Sequence, residues 1–316
     1  MISRRLIRIK IMQVVYAWLN DEAGDLNKSE KSLWFNIDKT YDLYHYLMLL
    51  LLEVRKYAQE RIDIASNKIL PTYEDLNPNT RFVQNRVLLQ LNENLSLAQH
   101  VARKKLSWAN NDEVVKKLYY AITGSDYYKK YMSLPEITYA EEKQLIVDIL
   151  TKEYESLDLM YHVLEEQNIF WNDDIEFVIS MILRTIDRFK ENNNEGGNML
   201  PLFKNDDDRE FAKNLFRKII LRYDQYKTLI EKYTKNWEID RIALMDIQLM
   251  VMAITEMVEF PEIPIKVTLN EYIELAKYYS TNKSNEFING ILDKIIVELK
   301  DNKTIVKTGR GLIEDK

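Results

Sequence analysis

The chain has 316 residues, and its 44 lysines and arginines against 50 aspartates and glutamates give a formal net charge of −6. It has no cysteine, which excludes disulfides, zinc fingers and thiol catalysis, and only 7 glycines and 6 prolines, too few breakers for a turn-rich sheet fold. An acidic body excludes general affinity for polyanions, so any contact with nucleic acid must be local.

The first twenty residues, MISRRLIRIKIMQVVYAWLN, are such a locality: they hold Arg4, Arg5, Arg8 and Lys10 and no acid. At helical spacing Ile7, Ile11, Val14 and Trp18 share one face, which predicts a buried stripe. Arg5, Arg8, Met12 and Tyr16 share the adjacent face, with Arg4 on its flank and Lys10 on a different side. Two guanidiniums and a ring presented to solvent suit an anionic polymer with stackable bases. The plainer alternatives are a solvated basic face or an organelle presequence. No small-residue cleavage site follows, and the apolar run 44–52 is far too short to span a bilayer, so a soluble cytoplasmic protein is expected.

Ser29 to about Asn67 reads as one or two long helices, and Pro71 and Pro78 interrupt the pattern over 70–82. Helical patterning resumes over 82–122, with a break near Asn110–Asn111. Gly124 to Pro135 reads as a tyrosine-rich loop. Thr138 with Glu141 three residues later is a capping-box pattern that opens a helix to Glu166, and Asp173 or Asp174 starts another that reaches Phe189. The polar stretch 190–208, with adjacent Gly196 and Gly197, is the expected linker. It separates an N-terminal helical region, 1–189, from a helical domain, 209–300, and a flexible tail, 301–316.

Beyond the linker, Phe211, Leu215, Ile219 and Tyr223 recur at helical spacing, as do Ile247, Met250, Val251, Ile254 and Met257. Pro261 and Pro264 break the chain, and Thr268 with Glu271 suggests a second capping box before EYIELAKYY. Ile288, Ile291, Leu292, Ile295 and Leu299 stripe a last helix from near Ser284. Gly290 inside it costs about 1 kcal/mol relative to alanine, which suggests close approach by another helix or a partner.

Signals for catalysis are weak. His45, His100 and His162 are far apart and at no metal-ligand spacing, and no glycine-rich phosphate loop is present. Asp206–Asp208 and Asp173–Asp174 read as acids at helix starts. No enzyme, metal or cofactor is expected. Arg103–Lys105 near Trp108 read as a solvated helix face, with an RNA track as the alternative.

The segments LIEKYTKNWEIDRIALMDIQLMVMAITEM, 229–257, and PIKVTLNEYIELAKYYSTNKSNEFINGILDKI, 264–295, resemble the core of the bacterial transcription antitermination factor NusB family. The resemblance rests on Trp237, Arg241, Leu249 and Glu256; on Lys266, Val267, Asn270, Glu271, Glu274, Ala276 and Lys277; and on Phe287, Asn289, Gly290, Leu292, Asp293 and Lys294. Arg4, Arg5, Arg8, Gln13, Tyr16 and Trp18 match the family's arginine-rich opening helix. The match covers 3–18 and roughly 209–300, and the region 20–208 is far longer than the family's usual N-terminal half.

The resemblance implies an all-α helical bundle that binds boxA-type single-stranded RNA. It does so with the ribosomal protein NusE, within the RNA polymerase elongation complex. Carried over by position, Arg4, Arg5, Arg8 and Tyr16 contact RNA, with Lys10, Lys283 and Phe287 as further candidates. Glu256, Asn270 and Glu271 are candidates for partner binding. Lys283 stands where the family often has an acid, which favours phosphate contact. The competing reading is a protein-interaction scaffold for polymerase or ribosome assembly that does not bind RNA. RNA cytosine methyltransferases with a similar helical domain are a third class, but they need a following catalytic domain.

Overall fold

A computed structural model describes residues 1–21, 24–192, 199–234 and 242–313. Trp237, Arg241 and the central part of the expected linker, with Gly196 and Gly197, lie outside the described residues. The helices are α1 (Arg4–Leu19), α2 (Leu26–Ser66), α3 (Tyr73–Leu76), α4 (Arg86–Asn92), α5 (Leu95–Lys104), α6 (Asp112–Gly124), α7 (Asp126–Ser133) and α8 (Tyr139–Asp148). There follow α9 (Tyr154–Ser156), α10 (Asp158–Gln167), α11 (Ile175–Arg188), α12 (Asp206–Tyr233), α13 (Leu244–Glu259), α14 (Ile265–Tyr279) and α15 (Ser284–Asp301). No strand occurs among the described residues, so the fold is all-α.

The chain forms two compact units, one of Met1 with residues 38–202 and one of residues 2–37 with 203–316. The later boundary, between Leu202 and Phe203, falls within the expected stretch 190–208, but the basic first helix belongs to the second unit and not to the N-terminal one, and α12 already starts inside that stretch at Asp206.

In the first unit the core centres on the middle of α2. Tyr46 stacks on Trp108 with ring centroids 4.1 Å apart, and the Trp108 indole N–H donates to the Tyr46 carbonyl at 3.0 Å. The buried Tyr154 hydroxyl donates to the Leu47 carbonyl at 2.9 Å, and burial pushes its pKa well up. His45 and His100 stack at 3.8 Å inside the same core, and His100 Nε2 lies 2.9 Å from the Asp42 carboxylate. Burial pushes His45 down to about 3. Arg103 donates to His100 Nδ1, and Lys104 pairs with Asp38 and Asp42, so two of the three bases in Arg103–Lys105 are anchored to the core.

Two local readings change here. The tyrosine-rich stretch 124–135 is not a loop: Ser125 Oγ accepts from the Tyr128 N–H and caps α7, and Tyr131 is buried on that helix. The helix from Thr138 does carry its capping box, but it passes through a π-turn at Ile149–Glu153 and breaks at Leu157 instead of running straight to Glu166.

In the second unit α13 is buried almost all round, because α1, α12, α14 and α15 all pack on it. The segment after α15 is not a free tail. Ile305 and Lys307 are buried, the Thr308 N–H donates to the Pro261 carbonyl at 3.0 Å, and a Cβ on Gly311 would stand 2.1 Å from that same oxygen. Lys307 Nζ donates to the carbonyls of Met257 and Phe260 at 2.7 and 3.0 Å, which caps the end of α13. Gly290 is different from expectation as well: nothing lies within 4 Å of a Cβ built there, so no packing in this chain requires glycine.

Burial pushes the Lys307 ammonium down to about 8, below the ordinary lysine value of 10.5 that applies when the chain is unfolded. Between those values the unfolded chain binds the proton more tightly, so stability rises with pH across that window. Urea denaturation at pH 7.5 and 9.5 is expected to show wild type gaining on Lys307→Met as the pH rises. An unchanged difference would show that the ammonium stays charged in the fold.

Candidate nucleic-acid interface

The site is built on α1, whose Ser3 hydroxyl accepts from the Leu6 N–H and starts the helix. Ile7, Ile11 and Val14 are buried as their spacing predicts, and Trp18 is half-buried. The adjacent face is split. Tyr16 is 44% exposed and Arg5 is exposed, but Arg8 and Met12 are buried at 3% and 1%. Lys10 is fully buried too. The expectation that Arg8 faces solvent is therefore corrected, because α1 packs on both α12 and α13 and so covers more than one stripe.

Arg8 makes a bidentate pair with Glu256 of α13: Nε to Oε2 at 2.7 Å and Nη2 to Oε1 at 2.6 Å. The same carboxylate accepts from the Thr268 hydroxyl at 2.9 Å and the Tyr272 hydroxyl at 3.1 Å, both from α14. Burial opposes the charge on Arg8, but the Glu256 hydrogen bonds outweigh it, and the guanidinium is held more firmly protonated than usual. Burial, with the Glu256 charge behind it, raises the Tyr272 phenol far above its ordinary range. Thr268 is thus no helix cap. Pro264 precedes the first turn of α14 and starts it at Ile265, which leaves Thr268 inside the helix with its hydroxyl turned to Glu256.

The outer arginines are also paired. Arg5 meets Glu271 through two hydrogen bonds of 3.0 Å, and these raise its pKa. Arg4 Nε lies 3.0 Å from Asp208, with its guanidinium 4.8 Å over the Phe211 ring. Asn205, just before the three acids, is the residue that caps α12, which leaves the Asp208 side chain for Arg4. Three cations and three carboxylates thus form a nearly neutral cluster with Arg4, Arg5 and Tyr16 at its exposed edge. Sequence reasoning did not single out Asp208, Phe211 or Tyr272 as parts of it. The acid opening α12 was visible, but its distant partner was not.

Lys283 and Phe287 line a different feature, a cleft of about 240 Å³ with Ile242, Ala243, Asp246, Thr281 and Ser284. Asp246 accepts from the Ser280 and Ser284 hydroxyls at 2.5 and 2.9 Å, which ties α13 to both later helices. Lys283 is exposed and Phe287 half-buried. Asn270 is exposed on α14, one residue before Glu271, which is the only one of that pair in the arginine cluster. Among the described residues no group of three or more histidines and carboxylates could hold a metal ion, and no helix is long and apolar enough to cross a membrane.

The sequence profile of the NusB family matches residues 175–297. The transcription antitermination protein NusB of Salinibacter ruber is 46% identical over 114 residues, which cover 36% of this chain and 71% of that protein. The chain belongs to the NusB family. The NusB proteins of Chloroherpeton thalassium and Natranaerobius thermophilus are 42% identical over 106 residues and 44% identical over 78, covering 50% and 54% of their own lengths. No solved structure matches. The profile begins at Ile175, so α11 belongs to the matched stretch together with α12 to α15, whereas α1 and most of the first unit lie outside it. These relatives are transcription antitermination proteins, which makes this chain a transcription antitermination factor of that family.

Proposed function

We propose that this chain binds boxA-type single-stranded RNA together with NusE, supporting transcription of ribosomal RNA by the polymerase elongation complex in the cytoplasm. The observation that carries this reading is the exposed edge of α1. Arg4, Arg5 and Tyr16 are exposed members of an acid-free first helix in an otherwise acidic chain. Arg4 and Arg5 suit phosphates, Tyr16 suits a splayed base, and Lys283 with Phe287 offers a second cation and ring. Arg8 and Lys10 serve as internal supports of that edge. Glu256 acts through Arg8, while Asn270 and Glu271 present α14 to a partner.

The scaffold reading has its own support, because all three arginines are already satisfied by carboxylates. A salt series on boxA-type RNA, with and without NusE, separates the two. Each phosphate contact contributes a slope of about −0.7 in log affinity against log salt for single strands. Modest binding without NusE, tighter binding with it, and a slope of at least one contact are expected. A flat response to salt would favour the scaffold.

A further inference from the structure

The loop that leaves α2 is inside out. Lys68 Nζ bonds both oxygens of Asp75 at 2.9 and 3.0 Å, and Asp75 also accepts from the Thr72 N–H while the Thr72 hydroxyl accepts from the Asp75 N–H. Lys68, Thr72 and Asp75 therefore turn on one another, and the Asp75 side chain is only 13% exposed. The apolar side chains turn outward: Ile69 is 100% exposed, Leu70 87%, Tyr73 76%, Ile64 63% and Leu76 58%.

A staple of this kind spends its hydrogen bonds on holding a short loop in shape, and the shape it holds presents five large apolar groups. The ion pair draws the two ends of the loop together, so Ile69 and Leu70 stand beside the single turn that carries Tyr73 and Leu76. Side chains of this size and exposure put several hundred Å² of apolar surface into water, as much as the largest patch on an ordinary monomer. Isolated exposed hydrophobics need no explanation, but a preorganised knob of them does.

The charge around the knob says what covers it. Along the chain from 60 to 76 the exposed acids are Glu60, Asp63 and Glu74, and the exposed bases are Arg61 and Lys68, the latter neutralised by Asp75. Three acids against one base repel RNA phosphates, an anionic bilayer and a second copy of the same knob. We propose that this knob docks into an apolar groove rimmed by lysine and arginine on a partner protein. It lies on the first unit, outside the stretch matched to the NusB family, and owes nothing to the RNA edge of α1.

The test uses the full chain and two labelled helical peptides with the same leucine face, one flanked by lysines and one by glutamates, read by fluorescence anisotropy. The lysine-flanked peptide is expected to bind at least about tenfold more tightly than the other, since tenfold needs only 1.4 kcal/mol of differential contact. Ile69→Ser with Leu70→Ser should weaken it by a similar factor at an unchanged melting temperature, and Glu74→Lys should weaken it severalfold. Equal binding of the two peptides, or indifference to the serine pair, overturns the proposal. So does capture of anionic vesicles, RNA binding or self-association that the serine pair abolishes.

Discussion

Glu256→Ala is expected to lower the stability of the second unit by about 3–5 kcal/mol, the usual cost of removing one partner from a buried ion pair. The Arg8 and Glu256 side chains are 4% and 0% exposed, so water cannot replace the lost carboxylate. Three donors lose their acceptor at once: the Arg8 guanidinium, the Thr268 hydroxyl and the Tyr272 hydroxyl. Arg8→Ala should cost a similar amount, because it leaves a bare carboxylate in the core. The informative variant is the pair Arg8→Met with Glu256→Leu. Filling the same volume with apolar groups removes the stranded charge, so the double variant should recover much of what either single loses. Urea denaturation of all four proteins completes the cycle. A single-variant loss below about 1 kcal/mol would show that water reaches the pair.

That buried pair marks the limit of what the sequence shows. Periodicity says which residues share a face, and on α1 and α13 it did so correctly for Ile7, Ile11, Val14 and the apolar run from Ile247 to Met257. It does not say how many faces a neighbouring helix will cover. Because α12 and α13 both pack on α1, Arg8, Lys10 and Met12 are buried along with the apolar stripe, and a run that reads as a basic surface has half of its four cations in the core. The two threonine-to-glutamate spacings make the same point. Thr138 and Glu141 cap α8 as read, yet Thr268 and Glu271 have the same spacing inside α14 because Pro264 starts that helix earlier. There the hydroxyl goes to Glu256 and the carboxylate to Arg5, both far away in the chain. The tail shows a third case: Lys307 is a charged residue in a polar stretch, and only the end of α13, with carbonyls lacking helical partners, explains why it is buried.

On the proposed reading, RNA must compete with Glu271 for Arg5, and this gives the second large effect. Arg5→Glu replaces an exposed phosphate contact with a repulsive charge beside Glu271 and Glu274, and should lower affinity for boxA-type RNA by about tenfold or more while reducing the salt slope by about one contact. Tyr16→Ala should cost about 1–3 kcal/mol of binding with the slope unchanged, since stacking involves no counterion. Glu271→Gln goes the other way. It removes the negative charge and one of the two acceptor oxygens that hold the Arg5 guanidinium, so affinity should rise severalfold and the slope steepen. Because Glu271 also lies 3.5 Å from Arg8, a thermal melt must accompany the binding curve. Opposite shifts from Arg5→Glu and Glu271→Gln are what an RNA-contacting edge requires. If both substitutions leave RNA affinity unchanged in the presence of NusE, the Arg5–Glu271 pair is structural, and the exposed edge of α1 serves a protein partner instead.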